Sequence, residues 1–232
     1  MIVILTGAGI SQESGIATFR DKGGLWENER VEDVATPRAF ARDPERVLRF
    51  YNERRKKLLE SDIKPNPAHL ALARLENESK EPVLLVTQNV DDLHERAGSK
   101  KLIHMHGELL KARCARCHKV LVWREDLTTA DSCPKCGKSG KLRPHIVWFE
   151  EMPLRMEEIE QALSRCRCFV SIGTSGNVYP AAGFAAMART YGADLVELNL
   201  EPSVGASIYH DAHYGKASEI VPAWVEEVLA KQ

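Results

Sequence analysis

The sequence has no excess of either charge: 32 lysines and arginines stand against 33 aspartates and glutamates, a formal net charge of −1. Such a chain has no global basic field that would bring it to nucleic acid or to an acidic membrane surface. It also lacks an apolar run of membrane-spanning length. Its apolar start carries no basic leader, so we expect a core strand there and not a signal peptide. Internal repeats and low-complexity segments are absent as well.

Six cysteines are present in a chain for which we expect no export signal. That combination favours a reducing compartment, the cytoplasm, and favours metal binding over disulfides. The length of 232 residues and the hydrophobic content of 44% are enough for one large domain, or for one domain with a small insert, around a sizeable core.

The first chemical signal is an apolar, β-branched run that ends abruptly at Gly7-Ala8-Gly9. Two glycines around an alanine allow a tight turn and a close approach to a diphosphate. The spacing is not the usual G-x-G-x-x-G, because Gln12 occupies the third position and the next glycine is Gly15. The loop by itself is equally compatible with a dinucleotide site and with an ordinary strand-to-helix turn.

Apolar runs alternate with helical segments along the rest of the chain. Further buried strands are predicted at 82–87, 102–107, 168–172 and 194–198, with a short last one at 219–221. Helices are predicted to begin at Thr36-Pro37, Asp43-Pro44 and Asn66-Pro67, and to cover about 155–165, 180–191 and 222–231. This alternation predicts an α/β fold, a Rossmann-like parallel sheet with helices on both faces.

Five of these strands end in clusters of Gly, Asn, Asp, Gln, His, Ser or Thr. Any one cluster could be ordinary turn chemistry. Five at one edge of a parallel sheet predict a ligand cleft, because ligands bind outside the carboxyl ends of such strands. The polar, Gly-rich segment 18–26 follows the first strand and is interpreted as a lid, the alternative being a surface loop whose aromatic side chains plug the core.

A metal site is predicted from the spacing C-x2-C, fifteen residues, C-x2-C, formed by Cys114, Cys117, Cys133 and Cys136. Four thiolates fill the tetrahedral sphere of Zn²⁺, so the ion should be structural and hold a small zinc-ribbon lobe together. Basic residues around these cysteines leave a nucleic-acid-binding ribbon open as an alternative. Cys166 and Cys168 are expected to be buried thiols.

A set of motifs occurs in one order along nearly the whole chain, from Ile4 to about Ala217. The set comprises Gly7-Ala8-Gly9-Ile10-Ser11, Glu13-Ser14-Gly15-Ile16, Thr18-Phe19-Arg20, Thr87-Gln88-Asn89-Val90-Asp91, His106-Gly107, the four cysteines, Gly173-Thr174-Ser175 and Asn199-Leu200-Glu201. Together they resemble the sirtuin family of NAD-dependent protein deacylases, and within it the bacterial class III, CobB-type enzymes. This ordered set is far more specific than any one of its members.

The resemblance implies an NAD site built from many strand ends. The diphosphate would lie at Gly7, Ala8 and Gly9, with Ser11 beside them, and the segment with Phe19, Arg20 and Trp26 would cover the cofactor. The ribose and nicotinamide pocket would be lined by Gln88, Asn89, Val90 and Asp91, and the adenosine half by Gly173, Thr174, Ser175, Asn199, Leu200, Glu201 and Ala217.

The resemblance also implies the chemistry. The acyl oxygen of a modified lysine displaces nicotinamide from the ribose, His106 acts as general base toward the ribose hydroxyls with Asn89 and Asp91 beside it, and the acyl group moves to ADP-ribose. A histidine near its ordinary pKa can do this at neutral pH. His104 is predicted to share a strand face with His106; sequence alone does not choose between them, whereas Gly107 and the family pattern favour His106.

Tyr51 and Arg54 lie three residues apart on a predicted helix and therefore share a face. From the residues alone this face is interpreted as a solvated stripe. In the class III sirtuins that this chain resembles, a Tyr-x-x-Arg pair beside a small alanine binds the carboxylate of succinyl- or malonyl-lysine, which implies that role for Tyr51, Arg54 and Ala35. A guanidinium fork and a phenol suit a carboxylate.

The segment Val147-Trp148-Phe149 resembles the stretch that pairs with the substrate peptide in this family. Two residues depart from the family pattern: Glu150 stands where glycine is expected, and Ala17 stands where proline is common.

The expected function is therefore NAD-dependent lysine deacylation, both deacetylation and desuccinylation or demalonylation, with one structural zinc. Alternatives are protein mono-ADP-ribosylation on the same site, or a non-enzymatic NAD-sensing or nucleic-acid-binding module. Acylated-lysine proteins or peptides are the expected partners, with no membrane, no specific nucleic acid and a monomeric chain. The NAD domain is predicted at 1–34, 62–110 and 147–232, and the small lobe at 35–61, a helical insertion, and 111–146, the zinc module.

Overall fold

The computed structural model describes residues 1–17, 25–26 and 29–232, with only the backbone described at 25 and 26. Its strands are β1 (Ile2–Thr6), β2 (Leu25–Trp26), β3 (Glu29–Arg30), β4 (Val83–Thr87), β5 (Leu102–His104), β6 (Gly107–Cys114), β7 (Val120–Val122), β8 (Leu142–Ile146), β9 (Cys168–Ile172), β10 (Asp194–Asn199) and β11 (Asp211–Tyr214). Its α-helices are α1 (Val31–Val34), α2 (Pro37–Arg42), α3 (Pro44–Leu58), α4 (Pro67–Glu78), α5 (Leu93–Ala97), α6 (Met156–Leu163), α7 (Phe184–Thr190) and α8 (Ala217–Ala230). No helix within the described residues is long and apolar enough to cross a membrane.

Six parallel strands form the main sheet in the order β11-β10-β9-β1-β4-β5. The chain runs outward from β1 to β4 and β5, then returns to the other side of β1 and runs outward again. Numbered by their order along the chain, these strands stand 3-2-1-4-5-6, the order of the Rossmann fold. The direction of winding reverses between β1 and β9, and ligands bind at such a reversal. The predicted fold class is confirmed.

The apolar run of β1 is explained by burial on both faces of the sheet. Val3 and Leu5 belong to the core on one face, where α6 and α7 pack. Ile2 and Ile4 belong to the core on the other face, where α4 and α8 pack. A strand covered on both sides needs apolar residues at every position, which is why β1 does not alternate with polar residues.

The predicted helix starts are confirmed, because each has a side-chain cap before a proline at the first turn. The Thr36 hydroxyl accepts from Ala39 N at 3.0 Å, and the Asp43 carboxylate accepts from Arg46 N at 3.0 Å. The Asn66 side chain accepts from Ala68 N at 2.9 Å.

A second sheet, antiparallel and of order β7-β6-β8, includes Cys114 at the end of β6, and the other three predicted cysteines lie in the turns that follow β6 and β7. Its apolar side packs against α3, since Leu48 shares a buried cluster with Ala112 and Leu142. Strand β6 begins at Gly107, before the predicted lobe boundary at 110, and the division of the chain into two parts stays a prediction.

The structure corrects three local predictions. Strand β5 ends at His104, so Met105 and His106 form a turn into β6, and the two histidines do not share a strand face. Residues 219–221 lie inside α8, and the last strand is β11 at Asp211–Tyr214. Helix α8 begins at Ala217 and continues through Pro222, five residues before the predicted start.

Candidate active site

A cleft of about 1070 Å³ opens at the carboxyl ends of the main sheet, between that sheet and the small lobe. Every central strand contributes to its wall through the residues that follow it, and α3 and the loop after β8 line the opposite side. The cleft contains Gly7, Ala8, Gly9, Gln88, Asn89, Val90, Asp91, His106, Gly173, Thr174, Ser175, Asn199, Leu200, Ala217, Ala35, Tyr51, Arg54, Val147, Trp148 and Phe149 from the predicted site. The polar residues at the strand ends therefore meet at one cleft, as the sequence predicts.

The two glycine loops touch at the reversal point of the sheet. Gly9 N donates to Gly173 O at 2.8 Å. A Cβ added at Gly9 would lie 2.7 Å from Gly173 Cα, and one at Gly173 would lie 2.5 Å from Ile10 N. Since real Cβ atoms do not approach that closely, both positions require glycine, and Gly173 also has φ +61°. These glycines bring two loops together on one wall of the cleft.

A buried chain of polar groups lies beneath this wall. Asn66 N donates to Nδ1 of His69 at 3.3 Å, which leaves the ring proton on Nε2, 3.4 Å from Ser11 Oγ. Ser11 Oγ donates to Asp91 Oδ2 at 3.1 Å and accepts from Asn89 Nδ2 at 3.1 Å. Ser11 is thus fully buried behind the cleft wall and not part of its surface. Sequence reasoning missed His69, whose only signal was the helix start at Asn66-Pro67.

Burial controls the protonation of this chain. Desolvation lowers the pKa of His69 to about 4, so its imidazole is neutral. Desolvation raises the pKa of Asp91 to about 6, although hydrogen bonds from Leu93 N and Ser11 act in the opposite direction. A carboxyl titrating near neutral pH in a cleft wall is a feature of functional sites.

His104, the last residue of β5, and His106, in the turn that follows it, have different environments. His106 lines the cleft and its Nδ1 donates to Gln88 O at 3.1 Å, so that Nε2 carries the lone pair. Burial lowers the pKa of His106, which keeps the ring neutral and able to accept a proton.

His104 lies behind the turn formed by Met105 and His106. It contacts Asn89 O at 3.2 Å through Nδ1 and Glu95 Oε1 at 2.7 Å through Nε2. Burial opposes its charged form, but Glu95 outweighs burial and raises the pKa of His104. His104 is therefore hydrogen-bonded to Glu95 beneath the loop, and His106 is the histidine that lines the cleft, as predicted.

Polar contacts connect three of the strand ends that line the cleft. Gln88 Nε2 donates to Thr174 Oγ1 at 3.1 Å, and Asn199 Nδ2 donates to Thr174 O at 2.9 Å. Ala217 begins α8 beside them. Glu201 is exposed and does not line the cleft, in contrast to its neighbour Leu200.

Tyr51, Arg54 and Ala35 meet on the small-lobe side of the cleft. Tyr51 is fully buried, and its hydroxyl accepts from Trp148 Nε1 at 3.0 Å. Burial raises the pKa of Tyr51, so the phenol stays protonated. The guanidinium carbon of Arg54 lies 3.1 Å from the Phe50 ring centroid and Nη1 donates to Phe50 O at 2.6 Å. The solvated-stripe interpretation of this helix face is therefore wrong.

The four predicted cysteines form one cluster with all sulfurs within 4.8 Å of one another. Cys114 and Cys136 have their sulfurs 3.7 Å apart, as do Cys117 and Cys133. Zn–S bonds of about 2.3 Å in a tetrahedron place sulfurs about 3.8 Å apart. The residues fit a closed structural zinc site.

Three predicted NAD contacts fall on the segment after the first glycine loop. Phe19 and Arg20 lie outside the described residues, and Trp26 is described only as part of β2. Residues that sequence reasoning did not single out also line the cleft: Lys57, Leu58, Asn177, Val178, Tyr179 and Lys216. They lie in loops or on helix faces whose composition carried no signal.

A six-stranded sheet of Rossmann order with paired glycine loops, beside a lobe with a closed four-cysteine site, defines a dinucleotide-binding enzyme with a structural metal. Comparison with known proteins narrows this class. The model of the Sir2 family matches residues 7–180. The chain is 61% identical over 228 residues to the NAD-dependent protein deacylase of Pasteurella multocida, covering 98% of this chain and 97% of that one. It is 59% identical over 231 residues to the corresponding deacylase of Vibrio cholerae, covering 100% and 94%.

Solved structures agree with this assignment. A Sir2 homologue in complex with NAD superposes with a TM-score of 0.89 at 39% identity, covering 99% of this chain and 90% of that one. A Sir2 enzyme bound to a p53 peptide and NAD⁺ gives a TM-score of 0.83 at 32% identity, covering 98% and 92%. The chain belongs to the Sir2 family, and it is an NAD-dependent protein deacylase with a four-cysteine zinc site.

Proposed function

We propose that this deacylase removes both acetyl groups and the acidic succinyl and malonyl groups from lysine side chains, transferring the acyl group to ADP-ribose and releasing nicotinamide. One observation carries the acidic-acyl part of the proposal: Tyr51, Arg54 and Ala35 line the same cleft as His106. A guanidinium beside a protonated phenol can bind a carboxylate by charge-assisted hydrogen bonds, and the small side chain of Ala35 leaves room for a longer acyl group.

NAD, when bound, supplies the ribose carbon from which nicotinamide departs and the hydroxyl that receives the acyl group. In this proposal His106 is the general base, and it takes a proton from a ribose hydroxyl at Nε2. The hydrogen bond from Nδ1 to Gln88 O supports this role, because it fixes the tautomer with the lone pair on Nε2. Its lowered pKa keeps that nitrogen unprotonated at neutral pH.

In this proposal the other residues of the predicted site bind and position NAD and the substrate peptide. Asn89 and Asp91 would orient the ribose and nicotinamide half, and the buried contacts through Ser11 hold both side chains in place. The glycine loops would hold the diphosphate. The adenosine half would lie against the strand ends at 174–175 and 199–200 and against Ala217. Phe19, Arg20 and Trp26 would cover the cofactor, and Val147, Trp148 and Phe149 would pair with the substrate peptide.

Acylated-lysine proteins or peptides are the proposed substrates, acted on by a single chain in a reducing compartment, the cytoplasm. The homologue bound to a p53 peptide supports a peptide substrate, and four thiolates in one metal site support a reducing environment.

The test is mass spectrometry of matched acetyl-lysine and succinyl-lysine peptides incubated with the enzyme, with and without NAD. We expect NAD-dependent loss of either acyl mass and the appearance of acyl-ADP-ribose and nicotinamide. The His106→Tyr variant should remove neither acyl group and should form no acyl-ADP-ribose. Loss of acetyl but not succinyl mass would overturn the acidic-acyl part, and an ADP-ribose mass added to the peptide would point to ADP-ribosylation instead.

A further inference from the structure

Glu150 occupies an unusual backbone position at the substrate side of the cleft. It is the third residue of a turn in which Glu151 N donates to Trp148 O at 3.0 Å, and its φ is +74°. A left-handed φ at this turn position favours glycine. A glutamate here carries a conformational cost, and such costs concentrate at functional sites.

The turn is anchored on both sides, so that the position of Glu150 is defined. Phe149 N donates to Ala35 O at 3.0 Å. The Glu151 carboxylate accepts from Arg113 and Arg143 at 2.7–3.0 Å and from Trp148 N at 2.9 Å. Glu151 thus holds the turn to the small lobe, and the carboxylate of the preceding residue, Glu150, is not needed for that purpose.

The Glu150 carboxylate is accessible. Its side chain is 48% exposed and lines the cleft, and its ion pair is with Arg38 at 3.4 Å, a side chain that is 84% exposed. An ion pair between two such exposed groups contributes little and exchanges readily with another cation. Among the described carboxylates of the cleft, Asp91 is buried, Glu151 is bound by two arginines, and Glu13 accepts from Ser218.

The surroundings of Glu150 suit a long basic side chain. Phe149 before it is 43% exposed, and Met152 after it is 78% exposed. Lysine and arginine lay their methylene stems along apolar surface while their charged ends reach a carboxylate. The cationic residues Arg54 and Lys57 lie on α3, so the cleft presents charges of both signs on separate elements.

We propose that Glu150 is a specificity-determining residue that selects substrates with a lysine or arginine next to the acylated lysine. The inference rests on the proposed function, because it concerns the peptide that enters the same cleft. Glu150 acts on peptide binding and leaves the chemical step at His106 unchanged.

The experiment uses succinyl-lysine peptides that differ only in one neighbour, Lys, Gln or Glu, placed before or after the acylated lysine. Binding is measured by fluorescence anisotropy and turnover by mass spectrometry, for the wild type and for Glu150→Gln, Glu150→Lys and Glu150→Gly. Glu160→Gln is the control, since Glu160 is exposed on α6 outside the cleft and its loss changes the net charge equally.

For the wild type we expect a lysine neighbour at one of the two positions to lower Kd and KM about two- to fivefold relative to glutamine, with kcat unchanged. Glu150→Gln should remove this preference, Glu150→Lys should reverse it, and Arg38→Gln should increase it. High salt should weaken the wild-type preference, because the group is exposed. Comparing Glu150→Gly with Glu150→Gln separates the backbone effect from the charge.

An unchanged preference in Glu150→Gln, or an equal loss in Glu160→Gln, would overturn the inference. Turnover without any charge preference would overturn it and leave the proposed function intact. Binding with the expected preference but without turnover would support the role of Glu150 and contradict the proposed function. Absence of binding by all peptides would overturn both.

Discussion

Arg54 carries the acyl selectivity that we propose; it lines the cleft, and its guanidinium lies over the buried Phe50 ring. Replacing it by methionine keeps apolar packing on Phe50 and removes the charge. We expect Arg54→Met to lower kcat/KM for desuccinylation by about ten- to a hundredfold, the range of one hydrogen-bonded charge, and to change deacetylation little. Parallel assays on matched peptides measure this, with the exposed Arg49→Met on the same helix as the control. Equal loss of both activities would contradict the assignment.

The buried carboxyl of Asp91, in the cleft wall, lowers the free energy of unfolding when it is ionised. Burial raises its pKa from 3.8 to about 6, so between these values the unfolded chain has lost a proton that the native chain retains. Stability therefore falls as pH rises across that window and stays lower above it. Asp91→Asn should raise the free energy of unfolding at pH 7.5 by up to about 3 kcal/mol, and reduce turnover.

The gain from Asp91→Asn should shrink as pH is lowered toward 4, because the wild-type carboxyl is then neutral as well. Urea denaturation of both proteins at several pH values measures the difference. A variant that is less stable than the wild type at pH 7.5 would show that the hydrogen bonds of the carboxylate outweigh its burial.

Helix α3 is joined to the zinc-bearing lobe by Arg55, a guanidinium that is 1% exposed. It donates to Leu109 O at 3.1 Å, to Glu125 O at 3.1 Å and to Asn52 Oδ1 at 2.7 Å. Arg55→Ala removes these three hydrogen bonds of a buried charged group, so we expect a loss of about 3 kcal/mol in the free energy of unfolding and a Tm lower by roughly 6–12 °C. Calorimetry tests this against Glu53→Ala, an exposed control on the same helix; equal small shifts would show that Arg55 is dispensable.

Arg55 also shows where sequence reasoning stops. A run of arginines and lysines on a helix predicts a solvated face, and the partners that reverse this interpretation lie 54 and 70 residues away along the chain. His69 is similar, since its contact with Ser11 spans 58 residues. The zinc ligands and the glycine loops were predictable because their chemistry requires particular residue types at a short, fixed spacing.

At the level of elements, burial decided which strands could be predicted. Strands β1, β4, β9 and β10 have apolar residues on both faces and were found within one or two residues of their ends. Strand β11 is an edge strand with mostly exposed residues, so its sequence carries no apolar run. Residues 219–221 lie instead in α8, where Val221 is buried and Glu219 is exposed, because a short apolar run does not distinguish strand from helix.

In the whole molecule, the sheet that carries the proposed NAD site and the lobe that carries the cysteines have separate apolar cores. Two apolar clusters cover the faces of the main sheet, which carries the glycine loops. Two others join α3, the cysteine sheet and the loop after β8, where Tyr51 and Trp148 pack. The cleft lies between these parts, so the acyl-binding residues depend on a lobe whose core includes Cys114 and Cys133.

Zinc removal should therefore separate NAD binding from deacylation. Structural zinc contributes directly to folding free energy, so chelation or Cys133→Ser should unfold the lobe, loosen α3 and abolish deacylation. The main sheet should keep its fold, and NAD should still raise its Tm, because the cores of the main sheet contain none of the four cysteines. Metal analysis measures the zinc content, hydrogen exchange measures the unfolding of the lobe, and thermal melts with NAD measure the stabilisation by NAD. Cys168→Ser is a control that should keep its zinc. Deacylation by the zinc-free protein would show that the lobe does not need the metal to fold, and loss of NAD-dependent stabilisation together with the metal would show that the two parts do not fold independently.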